Sequence, residues 1–411
     1  MKNKLLAIIT AIALASIGCG SDGKSNNDDK SIPVIPYIIT GTGTSFYATL
    51  DGEPVITDVA KPIQDVIDNI KTHAAGEDCT IQFGDGETEL DIGTANVSFD
   101  AGGTPSWGEI TLLGKITSAI TSGYPNEHGT IDVRNGAVIN SKADIKNTAV
   151  IAIYNHSGTV NISAGTVSSN YYAIYNSEYD SSPNTTLNIR GGIVTGYCAI
   201  YNFGKVNISG GNITATNVVV VVISGSELNI SGGTITCTGT NSCVINTVSG
   251  RATVNISGGT ISSAKYGINS TSNTNFVVNI SGGTITTADY AIFCTDINYN
   301  VINISGGTIK STGGYVTNGA LQLYMSGSPI ITGIIGTYSG RLWVGKKKPI
   351  YYEILDADFK PGAEVYTLGA SYSNGAIAVV GGGPYINNFE LYDKSTYKLV
   401  VSGEDLVVAP K

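Results

Sequence analysis

The chain has 411 residues, of which 52 are glycine and only 13% are charged, and its formal net charge is −9 at pH 7. Glycine is about twice as frequent as in an average protein, and charged residues are about half as frequent. An acidic chain with so few cations lacks the basic surface that nucleic acids or anionic lipids require, which excludes those partners. Length alone would suggest two or three domains, but it is a poor guide for a chain built by repetition.

Residues 1–18 have the pattern of a signal peptide. Two lysines supply the positive segment, and Leu5–Ile17 is an apolar run too short to span a bilayer comfortably. The run ends in Ser-Ile-Gly-Cys, which resembles a bacterial lipobox with Cys19 as the lipidated residue, although Ser16 stands where that motif usually has Leu. Cleavage after the Ala-Leu-Ala of residues 13–15 is the alternative.

Residues 19–32 comprise the lipidated cysteine and a polar tether. Gly20–Ser31 contains no large apolar residue, so it is predicted to be a flexible spacer. The lipobox resemblance implies an exported protein that is lipid-anchored to a bacterial membrane. Because Gly20 rather than Asp follows the cysteine, it implies the outer membrane or cell surface. The protein is then expected to contact the membrane through its lipid only.

Residues 33–79 are predicted to form an N-terminal cap with a helix over 61–75. Pro62 lies in the first helical turn and Gly76 lies at the end. The apolar residues of this segment recur at helical spacing, i, i+3, i+4 and i+7. They are Ile63, Val66, Ile67 and Ile70.

Residues 80–340 carry a repeated phrase, Asn-Ile-Ser-Gly-Gly-Thr-Ile, at intervals of about 24 residues. The intact copies are Asn229–Ile235, Asn255–Ile261, Asn279–Ile285 and Asn303–Ile309. The altered copies are Asn161–Val167, Asn188–Val194 and Asn207–Ile213, and more degenerate ones are Asp132–Val138 and Tyr324–Ile330. Repetition with this period is typical of a solenoid, a propeller or another repeat array.

Each copy of the phrase predicts two strands and the turn between them. In Val254-Asn255-Ile256 the period-two alternation directs the apolar residues to one side and the Asn to the other. The glycines permit a bend, and Thr-Ile-Thr or Thr-Ile-Ser begins a second strand. A third strand, Ala-Ile-Tyr-Asn at Ala173–Asn176, closes the unit with Ile inward and Tyr outward. Three strands per unit predict an all-β, right-handed parallel β-helix, a solenoid of about 24-residue coils.

The passage before the array resembles a known family. Pro62–Ile70 reads Pro-Ile-Gln-Asp-Val-Ile-Asp-Asn-Ile, and Cys79–Gly84 reads Cys-Thr-Ile-Gln-Phe-Gly. This order is similar to the beginning of pectate-lyase-like (pectin-lyase-fold) proteins, in which a capping helix leads into the first coil. Together with the repeats, the resemblance covers the architecture of residues 45–335. It implies the fold and not the activity, because that fold occurs in lyases, hydrolases, binding proteins and adhesins.

Residues 341–411 lack the phrase and are predicted to form a small C-terminal β cap. Ser402–Asp405 has the pattern of a hairpin turn. Four segments are predicted to be short antiparallel strands: Ile350–Leu355, Glu364–Leu368, Phe389–Tyr392 and Tyr397–Val408.

The asparagine of the phrase has two interpretations, a structural ladder and a ligand site. Identical amides one coil apart can hydrogen-bond along the axis. A calcium-binding array needs an aspartate in each glycine-rich repeat, and the phrase contains no carboxylate. We therefore expect a structural ladder, no metal and no cofactor. The ladder residues are Asn161, Asn188, Asn207, Asn229, Asn255, Asn279 and Asn303.

Five cysteines remain besides Cys19, and no pair has the CxxC spacing of a metal site. They are predicted to fill the core or the turns, while a disulfide between Cys237 and Cys243 is left open. The five are Cys79, Cys198, Cys237, Cys243 and Cys294.

A polysaccharide-degrading enzyme needs ionisable groups in one cluster, such as paired carboxylates. Between Thr159 and Ile330 the acids and bases are few and do not take equivalent positions on neighbouring coils. His73, His128 and His156 precede that span and are expected to be structural or solvated. We therefore expect no catalytic residue and a protein that is not an enzyme.

Tyrosine is the residue that the array displays, with 23 in the chain. The tyrosines of the first group take the same position in three successive units, and each is followed by an asparagine. The tyrosines of a second group lie two residues before the inward Ile and are expected to share its face. The first group either stacks as a structural ladder or forms a flat strip that binds sugar rings or a protein surface, with hydrogen bonds from the adjoining amides. The first group is Tyr154, Tyr175 and Tyr201, followed by Asn155, Asn176 and Asn202, and the second is Tyr172, Tyr266 and Tyr290.

These patterns predict a cell-surface or periplasmic lipoprotein with a non-catalytic, adhesive or binding surface. A carbohydrate-binding module for polysaccharide is the alternative, and a pectate-lyase-like polysaccharide-degrading enzyme is the third. The expected partner is a polysaccharide or a host or cell-surface protein.

Overall fold

Parallel strands stack into a β-solenoid in the computed structural model, which confirms the predicted fold class. The structure describes residues 35–55, 60–121, 128–177, 185–248, 250–270, 276–294, 300–319, 322–336, 342–344, 359–362, 364–369, 377–392 and 394–411. They belong to one unit, Ile35–Lys411. The predicted signal peptide, Cys19 and the tether lie outside the described residues.

The coils contribute strands to three columns, and within a column each strand pairs in parallel with the strand of the next coil. Column 1 comprises Cys79–Phe83, Val138–Ser141, Thr159–Ile162, Thr186–Ile189, Lys205–Ile208, Glu227–Ile230, Thr253–Ile256, Val277–Ile280, Val301–Ile304, Gln322–Met325, Leu342–Val344 and Ile377–Val380. Column 2 comprises Leu90–Asp91, Asp144–Asn147, Thr166–Ser169, Thr234–Cys237, Thr260–Ser263 and Thr284–Thr287. Column 3 comprises Val97–Asp100, Ile131–Arg134, Ile151–Asn155, Tyr172–Asn176, Cys243–Thr247, Tyr266–Ser270, Tyr290–Cys294, Tyr366–Gly369 and Phe389–Leu391.

Some longer strands continue around a corner of the coil. Glu109–Ser118 passes from column 1 to column 2, since it pairs with strands of both columns. The strands that pass from column 2 to column 3 are Ile193–Asn202, Asn212–Val222, Thr308–Gly319 and Ile330–Gly336.

The repeated phrase sets the register of column 1. Asn161 pairs with Asn188, and the same alignment continues through the five following pairs of strands. The apolar residues on either side of the Asn are buried, as Val254 and Ile256 show. They join the inward residues of columns 2 and 3 in one continuous core. Burying one such side chain contributes about 1.5–3 kcal/mol, so every coil is stabilised by its neighbours.

The two glycines of the phrase have different roles in the turn. A Cβ on Gly258 would lie 2.2 Å from the carbonyl oxygen of Ser231 on the preceding coil, so no larger residue fits there. Gly259 has a φ of +79°, a left-handed conformation that glycine adopts without strain. The pair therefore permits both close stacking and the bend between columns 1 and 2.

The predicted phrase at Asp132–Val138 is misplaced. Asp132 lies in column 3, where it pairs with Tyr154. The ladder position of its coil belongs to Asn140, which pairs with Asn161 in column 1. Asp132 has apolar residues on both sides, like the Asn of the phrase, and local alternation alone does not distinguish the two columns.

The N-terminal segment places a hairpin and a helix beside the first coil. Strand Tyr37–Thr42 pairs in parallel with Cys79–Phe83, and it forms an antiparallel meander with Ser45–Leu50 and Glu53–Pro54. Helix α1, Ile63–Ala74, contacts the second hairpin strand and Val97–Asp100. Its predicted apolar face is buried in the main core. The helix is shorter than the predicted 61–75, because Pro62 has an extended conformation and Ala75 a left-handed one.

The parallel columns continue beyond the predicted boundary at residue 340. Tyr366–Gly369 pairs in parallel with Ile330–Gly336, and Phe389–Leu391 with Tyr366–Gly369, whereas an antiparallel cap was predicted. Buried apolar residues such as Tyr366 maintain the inward face there without the phrase. A 3₁₀ helix, Gly383–Asn388, precedes Phe389–Leu391.

An antiparallel pair of strands covers the end of column 1. The hairpin Tyr397–Ser402 and Asp405–Pro410 pairs through its second strand with Ile377–Val380. The predicted hairpin turn is thus confirmed, while the predicted strand Ile350–Leu355 lies outside the described residues. In the part of the chain that the structure describes, no helix is long and apolar enough to cross a membrane.

The five cysteines are buried and free, as their predicted role of filling the core and turns requires. Cys237 and Cys243 do not form the disulfide that the sequence left open. Burial raises the pKa of the Cys198 and Cys243 thiols to about 12, which keeps them protonated and unreactive at neutral pH.

Candidate functional site

The asparagine ladder of column 1 forms as predicted. Each Nδ2 donates to the Oδ1 of the preceding coil, beginning with Asn161 to Asn140 at 2.9 Å. The distances of the following rungs lie between 2.7 and 2.9 Å. Since these amides bind one another along the axis, the ladder stabilises the stack.

A second amide ladder lies inside the corner after column 3. Asn155 Nδ2 donates to Asn176 Oδ1 at 2.8 Å, and Asn176 Nδ2 donates to Asn202 Oδ1 at 2.9 Å. All three side chains are fully buried. The expectation that they face a ligand is therefore wrong: they satisfy one another and nearby backbone groups, such as the carbonyl of Gly158.

The predicted strip of Tyr154, Tyr175 and Tyr201 points away from the main core but is largely covered. The rings follow one another at 5.0 Å between centroids. Tyr154 and Tyr175 are only 3% and 5% exposed, and Tyr201 is half-buried. His156 stacks on Tyr154 at 3.6 Å and Phe203 lies beside Tyr201. The strip is an external apolar cluster, and the prediction of a flat, exposed binding strip is wrong for its first two rings.

The second group of tyrosines faces outward, contrary to expectation. Ala173 and Ile174 both face the main core, so strict alternation fails at the corner before column 3. Tyr172 is thereby turned to the outside, where its ring contacts those of Tyr175 and Tyr201. Four coils after Tyr172 the same column contains a half-buried stack with ring distances of 5.7 and 5.9 Å. The stacked residues are Tyr266, Tyr290 and Tyr315.

An exposed pair of tyrosines, Tyr171 and Tyr197, lies at this corner on consecutive coils. The rings are 5.5 Å apart and nearly parallel, with an interplanar angle of 9°, and each residue is 44% exposed. Tyr172 braces the pair because its ring packs edge-on against Tyr171 at 4.3 Å. We call Tyr171 and Tyr197 the tyrosine pair. The third strand predicted from the sequence begins at Ala173, two residues after Tyr171, so the prediction did not include the pair.

The outward side of column 2 presents two ranks of side chains, of which ten are Thr or Ser and two are Ile193 and Asn212. We call it the hydroxyl face, and each member is exposed or half-buried. In one rank, Thr214 donates to Thr195 at 3.1 Å, and the hydroxyls of Thr236 and Ser262 are 3.0 Å apart. The hydroxyl face consists of Thr166, Ser168, Ile193, Thr195, Asn212, Thr214, Thr234, Thr236, Thr260, Ser262, Thr284 and Thr286.

A polar groove of about 270 Å³ adjoins the N-terminal end of the hydroxyl face. It combines two lysines with two carboxylates, so its lining has no excess of either charge. The lining residues are Glu89, Lys115, Ile116, Asp144, Ile145, Lys146, Thr166 and Ser168.

Asp132 forms a buried polar centre that sequence reasoning missed. Its carboxylate accepts hydrogen bonds from the backbone of Gly129 at 2.8 Å, from Asn96 Nδ2 at 3.1 Å and from Arg134 Nη2 at 3.3 Å. His128 Nδ1 lies 2.5 Å from the same carboxylate. This hydrogen bond raises the pKa of His128, whose side chain is 46% exposed. The centre joins residues from successive irregular coils, where no repeat indicates the register.

His156 completes the Asp132 centre without a hydrogen bond to it. Its Nε2 lies 4.0 Å from Asp132 Oδ1 and is buried without a hydrogen-bond partner. Burial lowers the pKa of His156 to about 4, although the nearby carboxylate opposes this shift. The imidazole is therefore neutral at pH 7 and packs as an aromatic ring on Tyr154.

Within the described ranges, no group of three or more His, Cys, Asp or Glu side chains is placed to hold a metal ion. Comparisons with protein-family models, with curated proteins and with solved structures find no match.

Proposed function

We propose that this protein is a surface-anchored, non-catalytic adhesin that binds polysaccharide through the tyrosine pair, Tyr171 and Tyr197. The observation that carries the proposal is a parallel, exposed pair of rings on consecutive coils. Sugar rings present C–H faces that pack on aromatic rings, and tyrosine adds a hydroxyl that hydrogen-bonds.

The surroundings of the tyrosine pair support a binding role. Tyr172 packs against Tyr171, and the backbone N–H of Cys198 donates to the carbonyl of Tyr171 at 2.8 Å. Rings that are already positioned lose little conformational freedom when a ligand binds, which favours affinity. The neighbouring hydroxyl face carries no charged side chain, which is compatible with a neutral ligand at the pair.

Anchoring at the outer membrane or cell surface is part of the proposal. It is supported by the lipobox resemblance that ends at Cys19 and by the polar spacer after it. The helix before the first coil supports a relationship to the pectate-lyase-like fold, in which both binding proteins and enzymes occur.

The test replaces both rings, Tyr171→Ser with Tyr197→Ser, and measures binding on a glycan array and then by calorimetry with the glycans retained. We expect affinity to fall about tenfold or more, because two stacked rings are removed. The melting temperature should hardly change, since both side chains are exposed.

The matched control is Tyr47→Ser with Tyr392→Ser, which removes two tyrosines that are 45% and 65% exposed elsewhere on the protein. The control should bind glycans like the wild type. Equal binding by wild type, pair variant and control would overturn the proposal, and so would a wild type that binds no glycan.

A further inference from the structure

The hydroxyl face is regular over six coils. Its two ranks follow the parallel register of column 2, in which Thr234 pairs with Thr260 and Thr260 with Thr284. Adjacent members of a rank are about 4.8 Å apart, and the two residues of one coil are about 6.7 Å apart. The face therefore repeats in two directions at distances that the backbone fixes.

All twelve side chains of the hydroxyl face are uncharged, although charged residues border it. Lys146 pairs with Ser168 at one end, and Lys310 pairs with Thr286 at the other. An uncharged face offers nothing to compensate the charges of an ionic polymer, and burying unpaired charges is costly. The absence of charged side chains on the hydroxyl face therefore favours a neutral partner.

Two pairs among the ten hydroxyls of the face are held in place before any partner binds. Thr236 and Ser262 are hydrogen-bonded across neighbouring coils, as are Thr195 and Thr214. β-branched side chains also have few rotamers. Binding then costs little side-chain entropy, and many weak contacts add up over a partner that repeats in the same way.

We propose that the hydroxyl face binds the surface of an ordered, uncharged polysaccharide, in which parallel chains present hydroxyls as a lattice. The inference rests on the proposed function and specifies the physical form of its ligand. A single soluble chain is held by stacking or in a groove. The hydroxyl face contains no aromatic side chain, and only Thr166 and Ser168 at its N-terminal end line a groove. The tyrosine pair adjoins the face, since Tyr171 follows Ser168 by three residues on the same coil. The pair contacts one chain, and the hydroxyl face contacts the array of chains beside it.

The experiment compares an insoluble polysaccharide with its soluble oligomer. The probes are microcrystalline cellulose with cellohexaose, and chitin powder with chitohexaose. The face variant is Thr234→Lys with Thr260→Lys, and its milder partner is Thr234→Val with Thr260→Val, which keeps the shape and removes the hydroxyls. The matched control is Thr186→Lys with Thr253→Lys, placed on the outward side of column 1.

We expect the wild type to bind at least one powder, and the Lys face variant to bind it about tenfold less tightly while its affinity for the oligomer is unchanged. The Val variant should lose part of the powder binding, and the control none. If the face variants bind both powders like the wild type, or if the wild type binds neither powder, the inference is overturned.

The outcomes separate this inference from the proposed function. Loss of oligomer binding in the tyrosine-pair variant tests the pair alone. If the wild type binds powder but no oligomer and the face variants lose the powder, the role of the hydroxyl face stands and that of the tyrosine pair fails.

Discussion

Single residues decide where this repetitive chain departs from its own pattern, and Asp132 is the clearest case. In the regular coils the corresponding outward position of column 3 holds Tyr, Val, Asn or Phe, whereas Asp132 places a fully buried carboxylate there. The surrounding donors satisfy it, as a buried polar group requires. Its neighbours His128 and His156 were expected only to be structural or solvated, because nothing in the spacing of the irregular coils shows that the three residues meet. The sequence identifies the residue types, but only the register brings them together.

The two histidines of the Asp132 centre make stability depend on pH in opposite directions. The pKa of His156 falls from 6.5 in the unfolded chain to about 4 in the folded protein. Below pH 6.5 the His156 imidazole therefore binds a proton in the unfolded chain but not in the folded protein. The stability of the folded protein falls as a result until about pH 4. The pKa of His128 is raised, so its contribution is present below pH 6.5 and is lost as the pH rises through the folded value.

We predict that His156→Phe, which keeps a ring against Tyr154, flattens the acid side of the stability profile. Between pH 7 and pH 4 the free energy of unfolding of the wild type should fall by about 1–3 kcal/mol more than that of the variant, after allowance for partial solvent screening. Urea unfolding over a pH series measures this difference. His128→Gln should leave that acid slope in place and instead remove stability at low pH. An acid slope that is the same in wild type and His156→Phe would refute the assignment.

At the scale of the strand, most of columns 1 and 2 is predictable from the chain. Apolar and polar residues alternate on both sides of the Asn of the phrase and again around the Ile after the glycines. This alternation is sufficient to predict which residues face inward. Column 3 is less predictable, because the adjacent inward residues Ala173 and Ile174 break the alternation at a corner. That break explains why Tyr172 was assigned to the wrong face. Exposure of Tyr154 could not be predicted either, since it depends on rings from other segments.

The register predicts different costs for inward and outward substitutions. Ile256 is 1% exposed and pairs with Ile230 and Ile280, so Ile256→Asp buries an unpaired charge in the core. We expect this substitution to lower the free energy of unfolding by about 3 kcal/mol or more. Thr260→Asp lies on an exposed position of the next strand and should change stability by about 0.5 kcal/mol or less. Thermal and urea unfolding measure both, and equal losses would show that the assigned faces are wrong.

At the scale of the whole molecule, the sides of the solenoid differ in chemistry. Column 1 carries an amide ladder that is satisfied by itself, column 2 carries the hydroxyl face, and the corner between columns 2 and 3 carries the tyrosine pair. The Asp132 centre belongs to the N-terminal coils. The amides of the ladder are hydrogen-bonded to one another, whereas the hydroxyl face and the tyrosine pair are exposed or half-buried, so we propose these two as the surface for a partner. The repeat predicts this architecture, because every coil buries equivalent apolar residues against its neighbours. The repeat does not predict which outward column stays accessible.

The proposed adhesion requires that the solenoid be held at the cell, which leads to a prediction about Cys19. If the lipobox resemblance is correct, the mature protein begins at Cys19 and carries lipid there. The predicted tether, Gly20–Ser31, would then span about 20 Å as a flexible chain, enough to separate the first coil from the membrane surface. We expect the expressed protein to partition into the detergent phase, and Cys19→Ala to release it into the aqueous phase or to leave the precursor uncleaved.

The control for the anchor is Cys79→Ala, because Cys79 is a buried thiol of the first coil and its removal should leave the partition unchanged. Phase separation followed by N-terminal sequencing distinguishes the outcomes. A mature protein that begins at Ser16 and stays in the aqueous phase would show cleavage after the Ala-Leu-Ala of residues 13–15 instead. In that case this protein would be secreted, and its tyrosine pair and hydroxyl face would bind polysaccharide without attaching the cell to it.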